Sequence, residues 1–156
     1  MNDTVGTRQE LIEEITALKK RITDLELLEA EGRHAREVLQ VSMEEYRGIF
    51  ENAMMGMFRS TPDGKYLRAN MALAKIYGYS SPDELMSAIT DIAGQLYVDP
   101  GDRKRCMEYL AEKDMIYGRE IEVYRRDGSR MWISMNARVV RGAEGSPEYY
   151  EGIVED

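Results

Sequence analysis

Cysteine is nearly absent. Cys106 is the single example in 156 residues, which excludes an internal disulfide and a thiolate zinc cluster and is compatible with a reducing compartment. There is one histidine, His34, so a Ser–His catalytic pair has no member near any Gly-x-Ser-x-Gly elbow, and none of those elbows occurs. No Gly-x-x-x-x-Gly-Lys loop is present to cradle phosphate. No apolar run approaches the roughly 18 residues that a membrane span needs. Met1-Asn2-Asp3-Thr4 has neither the basic nor the apolar region of a secretory signal. Basic residues are also in short supply, 21 against 29 acidic ones, and the net charge of −8 argues against nucleic acid or an anionic membrane surface as partner. These absences describe a non-enzymatic, cytoplasmic chain with no metal site and no membrane segment.

What is present divides in two: residues 1–44 read as a helix and 45–156 as a globular domain. From residue 8 to about 50 proline is missing, and Leu, Glu, Lys and Arg dominate. Leu11, Ile15, Leu18, Ile22 and Leu25 advance by four and three, a heptad with Ile at a and Leu at d, the combination of parallel dimeric coiled coils. A stripe resumes from Leu28 through Ala35, Leu39 and Tyr46 after a skip in the heptad. Such a helix either packs on its own domain or pairs with a second copy. Its length, about 60 Å at 1.5 Å per residue, favours the homodimer.

After residue 50, turn residues punctuate short segments. Thr61-Pro62-Asp63-Gly64 joins two strands, 57–60 and 65–69. Asn70 and Ser81-Pro82 are caps that open short helices, and Asp99-Pro100 starts a longer one running to about Lys113. Residues 120–125, 129–141 and 148–155 alternate as strands. The expected class is α+β, an antiparallel sheet with short helices on one face and a long N-terminal coiled-coil helix.

Residues 45–156 resemble a PAS domain with its PAC segment. The resemblance lies in Gly56-Met57-Phe58-Arg59-Ser60-Thr61-Pro62-Asp63-Gly64, Asn70, Ile76-Tyr77-Gly78-Tyr79, Pro82-Asp83-Glu84-Leu85 and Val98-Asp99-Pro100-Gly101-Asp102. It continues in Tyr124-Arg125-Arg126-Asp127-Gly128-Ser129, Trp132 and Tyr150-Glu151-Gly152-Ile153-Val154-Glu155-Asp156. It implies a five-stranded antiparallel sheet whose helices enclose a pocket, in a sensory and dimerisation module. PAC segments commonly run on into Asp-Ile-Thr, so the resemblance also implies an effector beyond Asp156, such as a histidine kinase or diguanylate cyclase.

The family's cofactors find little support. No histidine occurs from residue 45 onward to ligate haem, and 89–99 lacks the cysteine that forms a covalent flavin adduct. Cys106 follows three basic residues that would lower its pKa, although a buried helix thiol is the commoner reading. Alternation and the implied topology place Phe58, Ser60, Leu67, Ile121, Val123, Met131, Ile133, Met135, Tyr150 and Val154 on the helix-facing side of the sheet, closed by Ile76, Tyr77 and Tyr97. They bind a small apolar ligand or simply fill a core; both readings stand. The outward residues Trp132 and Ile153, with Ile15, Leu18, Ile22 and Leu25, are the expected dimer and relay positions.

Overall fold

The first proline is Pro62, so nothing before it interrupts backbone hydrogen bonding, and a single helix, α1 (Asp3–Asn52), results. The computed structural model describes residues 3–156. They divide into two compact units, one up to Tyr46 and one from Arg47. Along the first, Ile15, Leu18, Ile22 and Leu25 are each 51–57% exposed in the single chain. Among the described residues no helix is long and apolar enough to cross a membrane.

The second unit follows the turn and cap chemistry of its sequence. It contains β1 (Gly56–Ser60), β2 (Tyr66–Ala69), α2 (Met71–Ile76), α3 (Pro82–Ala88) and α4 (Ile92–Gln95). α5 (Pro100–Lys113), β3 (Met115–Tyr124), β4 (Arg130–Arg141) and β5 (Pro147–Glu155) complete it. Asn70, Ser81 and Asp99 each accept a backbone N–H at the start of α2, α3 and α5, and Pro82 and Pro100 sit in the first turns they open. Asp114, at φ +61°, ends α5 in the left-handed region.

The strands form one antiparallel sheet in the order β2-β1-β5-β4-β3, so the first and last strands of the unit are neighbours at its middle. Inward residues alternate along β4 (Ile133, Met135, Ala137) and β5 (Tyr150, Val154), and they pack against Leu73, Leu85, Ile92, Leu96 and Leu110 from the helices. Segment 96–98 runs beside β3, with Val98 N–H donating to Glu122 O at 3.0 Å and Tyr124 N–H to Leu96 O at 2.8 Å.

Three register shifts interrupt the sheet, one of them at Val140/Arg141 near the end of β4, and the other two depart from the expected strands. Between Arg59 and Ser60 the β1–β2 register shifts, so that Ser60 pairs with Tyr66 and not with Leu67. This turns Tyr66 toward the core and leaves Leu67 49% exposed, which corrects the expectation that Leu67 faces inward. In β3 a second shift between Ile116 and Arg119, with Gly118 at φ +57°, breaks the alternating pattern before Glu120. The strand nevertheless pairs with β4 from Met115, five residues earlier than the expected start at Glu120.

Gly152 is fixed by a close approach. A Cβ at this position would lie 2.3 Å from Asn136 O and 3.0 Å from both Ala137 Cα and Phe58 Cζ. The absent side chain is what lets the Phe58 ring lie across the sheet. Gly152→Ala is expected to cost about 2–3 kcal/mol through overpacking, read as a lowered midpoint in urea denaturation.

Candidate functional site

The helix-facing side of the sheet holds three tyrosines that converge from different elements. Tyr66 comes from β2, Tyr77 from the C-cap of α2, and Tyr97 from the segment bridged to Val123 of β3. The Tyr66 ring meets Phe58 edge-on at 6.1 Å. It lines the same void as Tyr77. Burial pushes the Tyr66 and Tyr77 phenols well above their ordinary range, and it pushes Tyr97 up to about 12 against the opposing pull of Arg103. All three are protonated donors at neutral pH.

Arg103, on α5, enters the same cluster and is only 8% exposed. It donates to Thr61 O at 3.2 Å, lies 5.9 Å from the centre of the Tyr150 ring, and lines the same void as the Tyr97 phenol. The three tyrosines, Arg103, Phe58, Ile133, Met135 and Val154, with Ile92 and Leu96, enclose a void of about 10 Å³. That is about the minimum space for one water. A flavin or haem does not fit this packing.

Of the expected pocket residues, Phe58, Tyr77, Tyr97, Ile133, Met135 and Val154 line this void. Ser60, Ile121, Val123 and Tyr150 are buried but do not line the void, although Ser60 pairs across the sheet with Tyr66 and Tyr150, and Ile76 and Met131 pack against the core's edge, half-buried. Leu67 lies outside, on a separate open groove with Phe50, Met71 and Met86. Arg103 and Tyr66 are members that sequence reasoning missed. Arg103 stands in a basic run that reads as solvated, and only the bulge in the β1–β2 pairing turns Tyr66 inward. Cys106 is fully buried, and desolvation raises its thiol pKa despite nearby arginines, opposite to the lowering its basic neighbours suggest. Among the described residues no group of three or more His, Cys, Asp or Glu side chains is placed to hold a metal ion.

The outer face of the sheet is more ionic than its apolar residues suggest. Arg59, Glu151 and Arg138 stand side by side in register on β1, β5 and β4. Arg59 Nε donates to Glu151 Oε2 at 2.9 Å and Arg138 Nε to Oε1 at 2.8 Å. Partial burial would raise the Glu151 carboxyl pKa, but the two guanidinium groups hold it below the usual carboxylate range. Farther along β4, Trp132 is 63% exposed, and Ile153 on β5 is half-buried.

A family model described as a PAS domain matches residues 51–156. The chain belongs to the PAS family. Solved structures agree with this PAS assignment. A domain of a sensory box sensor histidine kinase/response regulator from Geobacter sulfurreducens is 27% identical, covers 76% of this chain and 96% of its own, and superposes with a TM-score of 0.59. A PAS domain from Colwellia psychrerythraea, 21% identical over 73% of this chain and 95% of its own, has the same fold at a TM-score of 0.59. A probable diguanylate cyclase of Escherichia coli (strain K12) is 25% identical over 131 residues, 81% of this chain. The chain spans 11% of the length of that curated relative. PAS domains are generally sensory units of signalling proteins.

Proposed function

We propose that residues 45–156 form the sensory unit of a signal-transduction protein, and that residues 1–44 dimerise it. The output passes to an effector such as a histidine kinase or diguanylate cyclase. The similar domains of a sensor kinase and a probable cyclase support that choice of effector. The observation that carries the reading is on β4, where Ile133 and Met135 line the internal void while Trp132, immediately before Ile133, is exposed on the opposite face. Adjacent residues of a strand project to opposite sides, so pressure on Ile133 or Met135 tilts the strand beneath Trp132. β5, paired to both β1 and β4, carries that tilt through Ile153 toward the effector.

Switching requires a signal that favours one of two arrangements of the sheet or dimer. A differential of about 1.4 kcal/mol shifts their ratio tenfold. In the effector-bearing protein, Trp132→Ala is expected to leave pocket occupancy unchanged while effector activity stops responding to it. A normal response in this variant would remove the outer face from the route. The small void also favours a second reading, a filled-core relay with no ligand. Mass spectrometry of the denatured protein separates the two, since a stoichiometric small molecule supports the sensor alone.

A further inference from the structure

Arg103 is a nearly buried cation with no carboxylate partner among the described residues. Among the described residues no acidic side chain lies within ion-pair distance of it, because its neighbours are engaged elsewhere: Asp99 pairs with Arg105 at 2.6 Å and Asp102 with Arg105 at 2.7 Å. A charge withdrawn from water is costly unless it meets an opposite charge or a full set of hydrogen bonds. For its five N–H groups Arg103 has the Thr61 carbonyl, with the Tyr150 ring 5.9 Å away. Close by, Ser60 is fully buried and its hydroxyl has no hydrogen-bond partner. Ser60 immediately precedes Thr61 and pairs across the sheet with Tyr66 and Tyr150, both neighbours of the same cluster. An uncompensated guanidinium, an orphan hydroxyl and an internal void therefore occur together. Each is a deficit that one kind of guest would fill.

We infer that this cluster is a receptor for a small monocarboxylate, held by the Arg103 fork and the Tyr97 phenol, with Ser60 as a further donor. This rests on the sensory reading of the pocket and names the class of its ligand. A planar guanidinium matches a carboxylate with two parallel hydrogen bonds, which a spherical halide does not use. The void has room for one water-sized group, about one carboxylate oxygen. Met135, whose sulfur lies 4.0 Å from the Tyr97 hydroxyl, is the flexible side chain that can withdraw to admit the remainder.

The test is a proton–nitrogen chemical-shift titration of the intact chain with sodium formate, and separately with sodium chloride, at equal ionic strength and pH. Formate is expected to move the amides of Ser60, Thr61, Tyr97 and Arg103 along a saturating curve, and chloride is not. Arg103→Gln should abolish saturation. Ser60→Ala removes an unsatisfied hydroxyl, so it should fold at least as well as the wild type while weakening formate by about fivefold, the worth of one hydrogen bond. Identical curves for formate and chloride, or wild-type formate affinity in Arg103→Gln, overturn the proposal. Should that variant not fold, unchanged affinity in both Ser60→Ala and Tyr97→Phe overturns it equally. The relay is read from the effector output of Trp132→Ala, so failure to bind formate leaves that measurement intact and the two readings fall separately.

Discussion

Asn70→Ala is expected to be among the most damaging single substitutions in the PAS unit, lowering its stability by about 3 kcal/mol and its melting temperature by about 10 °C. The side chain is fully buried and uses all its capacity. Oδ1 accepts from the N–H groups of Met57 and Leu73, both at 2.9 Å, and Nδ2 donates to the carbonyls of Phe50 at 2.9 Å and Met55 at 3.0 Å. One amide thus ties the last turn of α1, the start of β1 and the first turn of α2. Alanine strands four backbone groups, each of which costs about 1–3 kcal/mol where water cannot reach it. Asn70→Asp separates this role from simple capping. Aspartate is as good an N-cap as asparagine, but here it would set a carboxylate against two carbonyl oxygens. Calorimetry should find it nearly as unstable as the alanine variant. A wild-type melting temperature for Asn70→Asp would reduce Asn70 to a helix cap.

Polar replacement of the coiled-coil seam, Ile15→Asn with Leu18→Asn, should convert the proposed dimer to monomers at micromolar concentration. Both side chains are about half exposed in the single chain. Pairing therefore has about 1 kcal/mol of further burial to gain from each. Two positions on two protomers sum to about 4 kcal/mol, about a thousandfold in dissociation constant. Light scattering would record the mass halving. An unchanged mass would show that another surface holds the copies together.

How far these features could be read beforehand depended on whether a local rule was left undisturbed. Asn70, Ser81 and Asp99 were legible because a cap is defined by residues a few positions apart. The inward positions of β4 were legible because the strand alternates regularly from Met131 to Ala137, ahead of the shift at Val140. Leu67 was misplaced because a bulge depends on the pairing partner, and a single strand carries no mark of it. The early start of β3 was hidden for the same reason, behind Gly118. Arg103 was the hardest to see. Its burial is set by the tyrosines that surround it, from Tyr66 to Tyr150, and nothing within the run Arg103-Lys104-Arg105 separates the buried arginine from its two exposed neighbours. Asn70 was visible as a cap, whereas its bonds to the carbonyls of Phe50 and Met55 join it to residues 15 to 20 positions away, beyond the reach of a local rule.

The pairing of Gly56 with Val154 has a consequence of another kind. These residues stand at the entrance to β1 and near the end of β5, as partners on one rung of the ladder, with Cα atoms about 5 Å apart by the spacing of antiparallel strands. A polypeptide that acquired this unit between two of its segments would find their ends scarcely displaced, much as if a short loop had been added. Gene duplication or shuffling could thus add or remove copies in series while leaving the flanking segments in reach of each other, the geometry that makes a domain portable.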